Sequence, residues 1–270
     1  MEDNKYMLKE IKFALYAIKK NIQSSAELRT SFLMNVFGMM INNTAFILLW
    51  VYFIKSVGII GGWTPSDIVG LQGFLALAYG IIFSFGNGIR WLPEYVSSGA
   101  FDRFMLSPKN LLSRVATSSF NSSAIGDITF GIICLVVYTI LIHAGLYQII
   151  TLLFLIIFST IIFLAFSITV FSTSFFFMDS GLVTSGFFEL FITPAIFHGG
   201  AFQGIMRFIF TFVLPSLLVG TLPIEAVRDM SLLKLFIIGV MSIIWMFLSV
   251  KIFSKAVKKY ESSNFMTFGN

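Results

Sequence analysis

Residues 149–171 read IITLLFLIIFSTIIFLAFSITVF, from Ile149 to Phe171, without one ionisable side chain. A helix rising about 1.5 Å per residue needs about 20 such residues to cross the hydrocarbon of a bilayer, where backbone groups must bond within their own segment. This stretch is therefore a membrane-spanning helix. The rest of the chain agrees with it: 57% of its 270 residues are hydrophobic and 11% charged, where soluble domains carry about 25% charged.

Working outward, the same criterion places spans at Phe32–Ile54, Ile68–Ile89, Ala124–Ile142 and Ser231–Phe253, with Lys234 and Lys251 set to snorkel at the two ends of the last. The stretch from Phe187 to Glu225 is broken by Pro194, a Gly199-Gly200 pair, Pro215 and Pro223, and carries Glu189, His198 and Arg207. We place the fifth span at Ile205–Leu222, after a short segment on the cytoplasmic face and before a shallow re-entrant turn at Pro223. The other placement is Gly186–Phe202, with the chain beyond Phe202 re-entrant from outside. The expected fold is an all-α integral membrane protein of six transmembrane helices. Six spans leave about 150 residues for loops and ends, too few for a fused ATPase.

The first 30 residues precede these spans. Leu8, Ile11, Leu15, Ile18 and Ile22 recur at spacings of three and four among six Lys and Arg residues, a pattern that lines one helical face with aliphatic side chains. Residues 1–30 read as an amphipathic helix on the cytoplasmic interface. They lack the continuous apolar core of a cleaved signal peptide. The six-span domain occupies 31–254 and a cytoplasmic tail 255–270.

Orientation comes from the positive-inside bias. Six Lys or Arg residues lie in the N-terminal arm, four in the loop after span two (Arg90, Arg103, Lys109, Arg114) and four in the tail (Lys251, Lys255, Lys258, Lys259). With Arg207 inside, 15 of the 18 are cytoplasmic, leaving Lys55, Arg228 and Lys234 outside. Both termini are then cytoplasmic. The other placement of span five gives 14 to 4.

Several chemistries are absent from the sequence. The only Lys followed by Ser or Thr is Lys55-Ser56, without the glycines of a phosphate-cradling P-loop. His143 and His198 lie far apart with no Cys, Asp or Glu at zinc-ligand spacing. Gly86-Asn87-Gly88 lacks the third glycine of a dinucleotide fingerprint. The single cysteine, Cys134, lies inside an apolar run and reads as a core residue. The net charge of +5 comes from residues flanking the spans, where anionic lipid is the partner and nucleic acid is not needed.

Polar residues near spans point to helix packing. Asn42-Asn43-Thr44 suits interhelical hydrogen bonding, and the Ala76–Gly80 spacing suits close backbone approach. Asp127 falls at the start of span three, where the helix dipole favours an acid; it and Glu189 are the two acids that would flag a transport path.

The loop 90–114 is unusually apolar for a connector, with Trp91, Tyr95, Phe101, Phe104, Met105 and Leu106 in it. It reads as an amphipathic helix ending near Ser98-Gly99, then a short apolar stretch stopped by Pro108. Such a shape suits docking on another protein; burial against the membrane surface is the competing reading. Gly99 lets the chain reverse, and Asp102 would cap or orient the turn.

These residues resemble a known family. Gly99-Ala100-Phe101-Asp102-Arg103-Phe104-Met105-Leu106-Ser107-Pro108 is similar to the G-x-hydrophobic-D-x-hydrophobic-L-x-x-P signature after the second span of ABC-2 type permeases. It carries Met105 where that family often has Leu, and Ser107 where a basic residue is common. Lys259-Tyr260-Glu261-Ser262-Ser263 resembles the family's R-Y-E-S ending, and Phe212-Val213-Leu214-Pro215 with Leu222-Pro223 resembles its proline-bearing fifth span. The resemblance implies a small six-span, non-catalytic permease subunit of an ATP-binding cassette exporter in a bacterial plasma membrane. It also implies two separate ABC ATPase subunits that hold ATP and magnesium, and a second permease copy or related subunit. Trp91, Tyr95, Gly99, Phe101, Asp102, Phe104, Leu106 and Pro108 would form the ATPase-coupling loop, with Phe101, Phe104 and Leu106 as its docking face. An ion-coupled carrier, an integral membrane enzyme and a non-transporting membrane partner or immunity protein are the rival classes. A carrier would place ionisable residues at mid-membrane, often in repeated halves, and the centres of spans one, two, four and six hold none.

Overall fold

The computed structural model describes residues 2–57, 61–177 and 180–260, so the last residues of the 255–270 tail, with most of the Lys259–Ser263 motif, lie outside it. Every regular element among the described residues is helical: α1 (Glu2–Glu27), α2 (Arg29–Val57), α3 (Pro65–Phe85), α4 (Leu92–Ser97), α5 (Asp102–Met105), α6 (Leu111–Ala116), α7 (Ser123–Leu141), α8 (Leu146–Phe171), α9 (Ser180–Ile196), α10 (Gly204–Phe208), α11 (Thr221–Arg228) and α12 (Leu232–Val257). The protein is an all-α, multi-pass membrane protein. Among the described residues five helices, α2, α3, α7, α8 and α12, are long and apolar enough to span a bilayer.

Side-chain contacts fix the direction of each crossing. One end of the bundle gathers the basic loops: Asn21 of α1 donates to the Thr117 carbonyl, Glu10 accepts from the Asn110 amide, and Asn35 of α2 bonds Ser122 just before α7. At the far end Thr64 caps α3 in a reciprocal pair with Asp67, with Pro65 in the first turn. There too Gln148 of α8 donates to the Val227 carbonyl. From the basic end, α9 starts beside Arg90 and finishes at the far end, where Gln72 donates to the Ile196 carbonyl. α12 then returns to the basic end.

The sixth crossing is thus α9, 17 residues or about 26 Å of helix, which corrects the placement of span five at Ile205–Leu222. That stretch is broken into α10, a π turn at Ile209–Val213, a 3-10 turn at Pro215–Leu218 and the start of α11. All of it stays at the far end as a re-entrant hairpin. The physical reason is backbone bonding. Pro215 and Pro223 lack an N–H, and Leu214 takes up φ −117°, ψ 89° outside the helical region, so no continuous ladder could shield the backbone from lipid. Pro194 is tolerated because α9 ends two residues later.

α3 is the central helix, with 72% of its spanning window buried against 11% for α2 and 17% for α12. It packs closely on α7, where a Cβ on Gly80 would stand 2.6 Å from the Ile128 nitrogen, so only glycine lets the two backbones approach. An aromatic core ties α3, α8 and α9 together: Phe166 stacks on Phe191 at 4.4 Å, and Phe83 meets Phe163 and Phe188 edge-on. On α1, Leu8, Ile11 and Leu15 are exposed while Glu10 and Asn21 face the 109–117 segment, which leaves an apolar stripe free for the membrane surface.

Candidate functional site

The loop after α3 is a braced structure. Its chain reverses at Gly99, which takes φ +73° in the left-handed region that disfavours side chains. The Phe101 amide bonds the Tyr95 carbonyl at 2.9 Å and the Asp102 amide bonds the Gly99 carbonyl, so α4 and α5 are clamped around the turn. Tyr95 shares a hydrogen bond with Ser118. Arg114 donates to the carbonyls of Phe104 and Arg103, and Arg103 lies over the rings of Tyr95 and Phe104. Lys109 pairs with Glu10 of α1.

Burial divides the predicted docking face. Phe101 is fully buried, its ring centroid 5.0 Å from Phe175 and 4.9 Å from Tyr260, and Phe104 is 6% exposed beneath Arg103 and Arg114. Neither can be a contact surface; they anchor the loop to the ends of α8 and α12. Leu106 is 87% exposed, and Met105, Trp91 and Pro108 are exposed with it. The exposed large apolar side chains of the loop are therefore Trp91, Met105 and Leu106. The alternation of inward and outward aromatics across a turn has no helical period, so the sequence could not separate them.

Two clefts flank Arg90 and Trp91 at this end. One, of about 510 Å³, runs toward Ser180 and Thr184 of α9; the other, of about 670 Å³, runs toward Asn87 and Asn121. Arg90 also donates to the Tyr79 hydroxyl of α3 at 3.0 Å.

Of the polar residues assigned to helix packing, Asn43 bonds Asp127 of α7 at 2.7 Å, Ala76 lies against the Ile47, Phe130 and Cys134 cluster, and Gly80 faces α7. Asn42 points away from the chain. Glu189 also faces outward, from the middle of α9.

The far end holds a charge cluster that sequence reading used only for orientation. Glu225, 5% exposed, accepts from Arg207 at 2.6 Å and from Lys234 at 3.2 Å; Asp229 pairs with Lys234 and Arg228, and Arg228 reaches Asp67 at 3.3 Å. Three acids and three bases balance. Arg207 belongs to this end, so the basic residues divide 14 to 4, as the other placement of span five requires. Burial pushes the Asp229 carboxyl up, but the bonds and charges of Lys234 and Arg228 outweigh it and hold it below the usual carboxylate range. His198, beside the buried Trp63, is pushed down by burial.

Among the described residues no group of three or more His, Cys, Asp or Glu side chains could hold a metal ion. A family model described as ABC-2 family transporter protein matches residues 39–264, from the middle of α2 past the end of α12. No curated protein and no solved structure is significantly similar to the chain. Six crossings, a braced loop after the second and a match over most of the length lead to one assignment: the chain belongs to the ABC-2 family of transporter proteins.

Proposed function

We propose that the chain is the permease subunit of an ATP-binding cassette exporter in a bacterial plasma membrane, with the basic end and both termini in the cytoplasm. The observation that carries this reading is the exposed trio Trp91, Met105 and Leu106 on a loop whose inner residues are locked into the bundle. A leucine with 87% of its surface exposed on an otherwise ordered turn is suited to anchor an interface with a partner. The partner is a pair of separate ABC ATPase subunits, which bind ATP and magnesium and supply the energy.

Movement imposed on Leu106 by ATPase closure would pass through α5 to Phe101, and from there to Phe175 at the end of α8 and Tyr260 after α12. α4 lies beside the start of α9 across the Trp91 cleft. Four of the six crossings thus meet this loop, α3 by covalent connection. A packed contact of this kind transmits displacement because interiors are not compressible.

A second permease, identical or related, completes the transporter. Asn42 and Glu189 face outward from the middles of α2 and α9, where lipid contact is costly for a carboxylate. Cover by another subunit removes that cost. The substrate class is lipid-like, peptide or amphipathic, in keeping with a path through an apolar, Phe-rich bundle.

Site-directed photocrosslinking tests the docking surface. Leu106→benzoylphenylalanine is expected to crosslink an ATPase subunit in native membranes, whereas the same replacement at Leu233, exposed at the far end, gives none. Equal crosslinking from both positions, or none from 106, would remove the docking assignment.

A further inference from the structure

A cavity of about 200 Å³ lies between α2, α3, α7 and α9, lined by Asn43, Gln72, Tyr79 and Asp127 and by apolar side chains that include Phe46 and Phe130. That is room for roughly six or seven water-sized groups. Asp127 is its one acid and is 3% exposed. Oδ1 accepts from Asn43 Nδ2 at 2.7 Å, while Oδ2 has no partner. Although Asp127 sits in the first turns of α7, the bond it makes is to a side chain on another helix. Among the described residues no Lys, Arg or His forms an ion pair with it.

The other polar groups of the cavity do not meet its need. The Gln72 amide donates to the Ile196 carbonyl and the Tyr79 hydroxyl accepts from the Arg90 guanidinium, and neither bonds Oδ2. A carboxylate in an apolar cavity, with one oxygen on a neutral amide and the other bare, is short of positive charge and of a hydrogen-bond donor. A protonated amine supplies both through one N–H, and a hydrocarbon chain attached to it would lie on the apolar walls. The wall that carries Asn43 is α2, the least buried of the spans.

We propose that this cavity is a recognition subsite for the protonated amino group of an amphipathic substrate, with Asp127 as its counter-ion. The proposal rests on the transporter reading and narrows its substrate class to amine-bearing amphiphiles. The full chain, in lipid nanodiscs, is titrated with radiolabelled N,N-dimethyldodecylamine against empty discs, with unlabelled amine or dodecanol as competitor. Saturable binding is expected, displaced by the amine and not by the alcohol, and weakened about tenfold or more in Asp127→Asn.

No saturable component in the parent, equal displacement by dodecanol, or an Asp127→Asn variant that binds as the parent does would each overturn it. Should the variant fail to fold, the comparison of amine with alcohol on the parent decides. ATPase recovery with the chain keeps the two readings apart: an ATPase that copurifies while the amine does not bind removes this subsite alone, and amine binding without an ATPase removes the exporter reading alone.

Discussion

Phe101 lies edge-on against Tyr260, their ring centroids 4.9 Å apart, so the loop after the second crossing and the segment after the last are joined in one aromatic cluster with Phe175. Two sequence motifs about 160 residues apart therefore serve one structure. The contact holds the basic end together and leaves Leu106, five residues on, exposed.

Truncation should separate these roles. Phe101→Ala empties a fully buried aromatic site and is expected to cost about 3 to 5 kcal/mol, read as a lower midpoint of thermal unfolding in detergent. Leu106→Ala should stay within about 0.5 kcal/mol of the parent. A double-mutant cycle with Tyr260→Ala should return a coupling of about 0.5 to 1.5 kcal/mol with Phe101. Equal destabilisation by Phe101→Ala and Leu106→Ala would contradict the division into anchor and docking residues.

The path of the fifth crossing gives a sharp topological test. Single cysteines at Ser24, Ser97 and Gln203 in a Cys134→Ala background all replace residues with accessible side chains. An impermeant thiol reagent applied to intact cells should label position 203 and spare 24 and 97, which react after lysis. A span at 205–222 would put 203 on the inside, and protection of that cysteine in intact cells would restore it.

The charge cluster at the far end should be measurably pH-dependent. Glu225→Ala leaves Arg207 and Lys234 without their shared acid; because those side chains are 39% and 29% exposed, the expected cost is about 1 to 3 kcal/mol, below that of a fully buried pair. Asp229 has its folded pKa held below its unfolded value, so its stabilisation is present above about pH 4 and is lost as pH falls through the folded pKa. Asp229→Asn should lower the unfolding midpoint at pH 7, with the gap to the parent closing on acidification. A gap that widens in acid would show that Asp229 is not held ionised by Lys234 and Arg228.

The long crossings were legible because an 18- to 25-residue apolar helix is dictated by the bilayer alone, and Ile149–Phe171 needs no tertiary context to be read. The 187–225 region was not, since Pro194 can end a helix or interrupt one and only the hydrogen bond from Gln72 to the Ile196 carbonyl decides. At the candidate site the sequence marked the loop and its Gly99 reversal, but inward Phe101 and outward Leu106 are equally hydrophobic letters. Asn43 and Asp127 stood out separately; 84 residues separate them, and only the α2–α7 contact makes them one site.

The central claim, that separate ATPases drive this chain through the Trp91–Leu106 surface, is tested most directly by ATP hydrolysis of the affinity-purified protein. Purified in mild detergent from its native membrane, the parent should bring an ATPase with it and hydrolyse ATP. The chain expressed alone should not. Leu106→Glu combined with Trp91→Ala should be recovered in equal folded amount with hydrolysis reduced about tenfold or more, the loss expected when two interface anchors are removed. ATP turnover by the chain alone, or undiminished ATPase recovery with the double variant, would contradict the account.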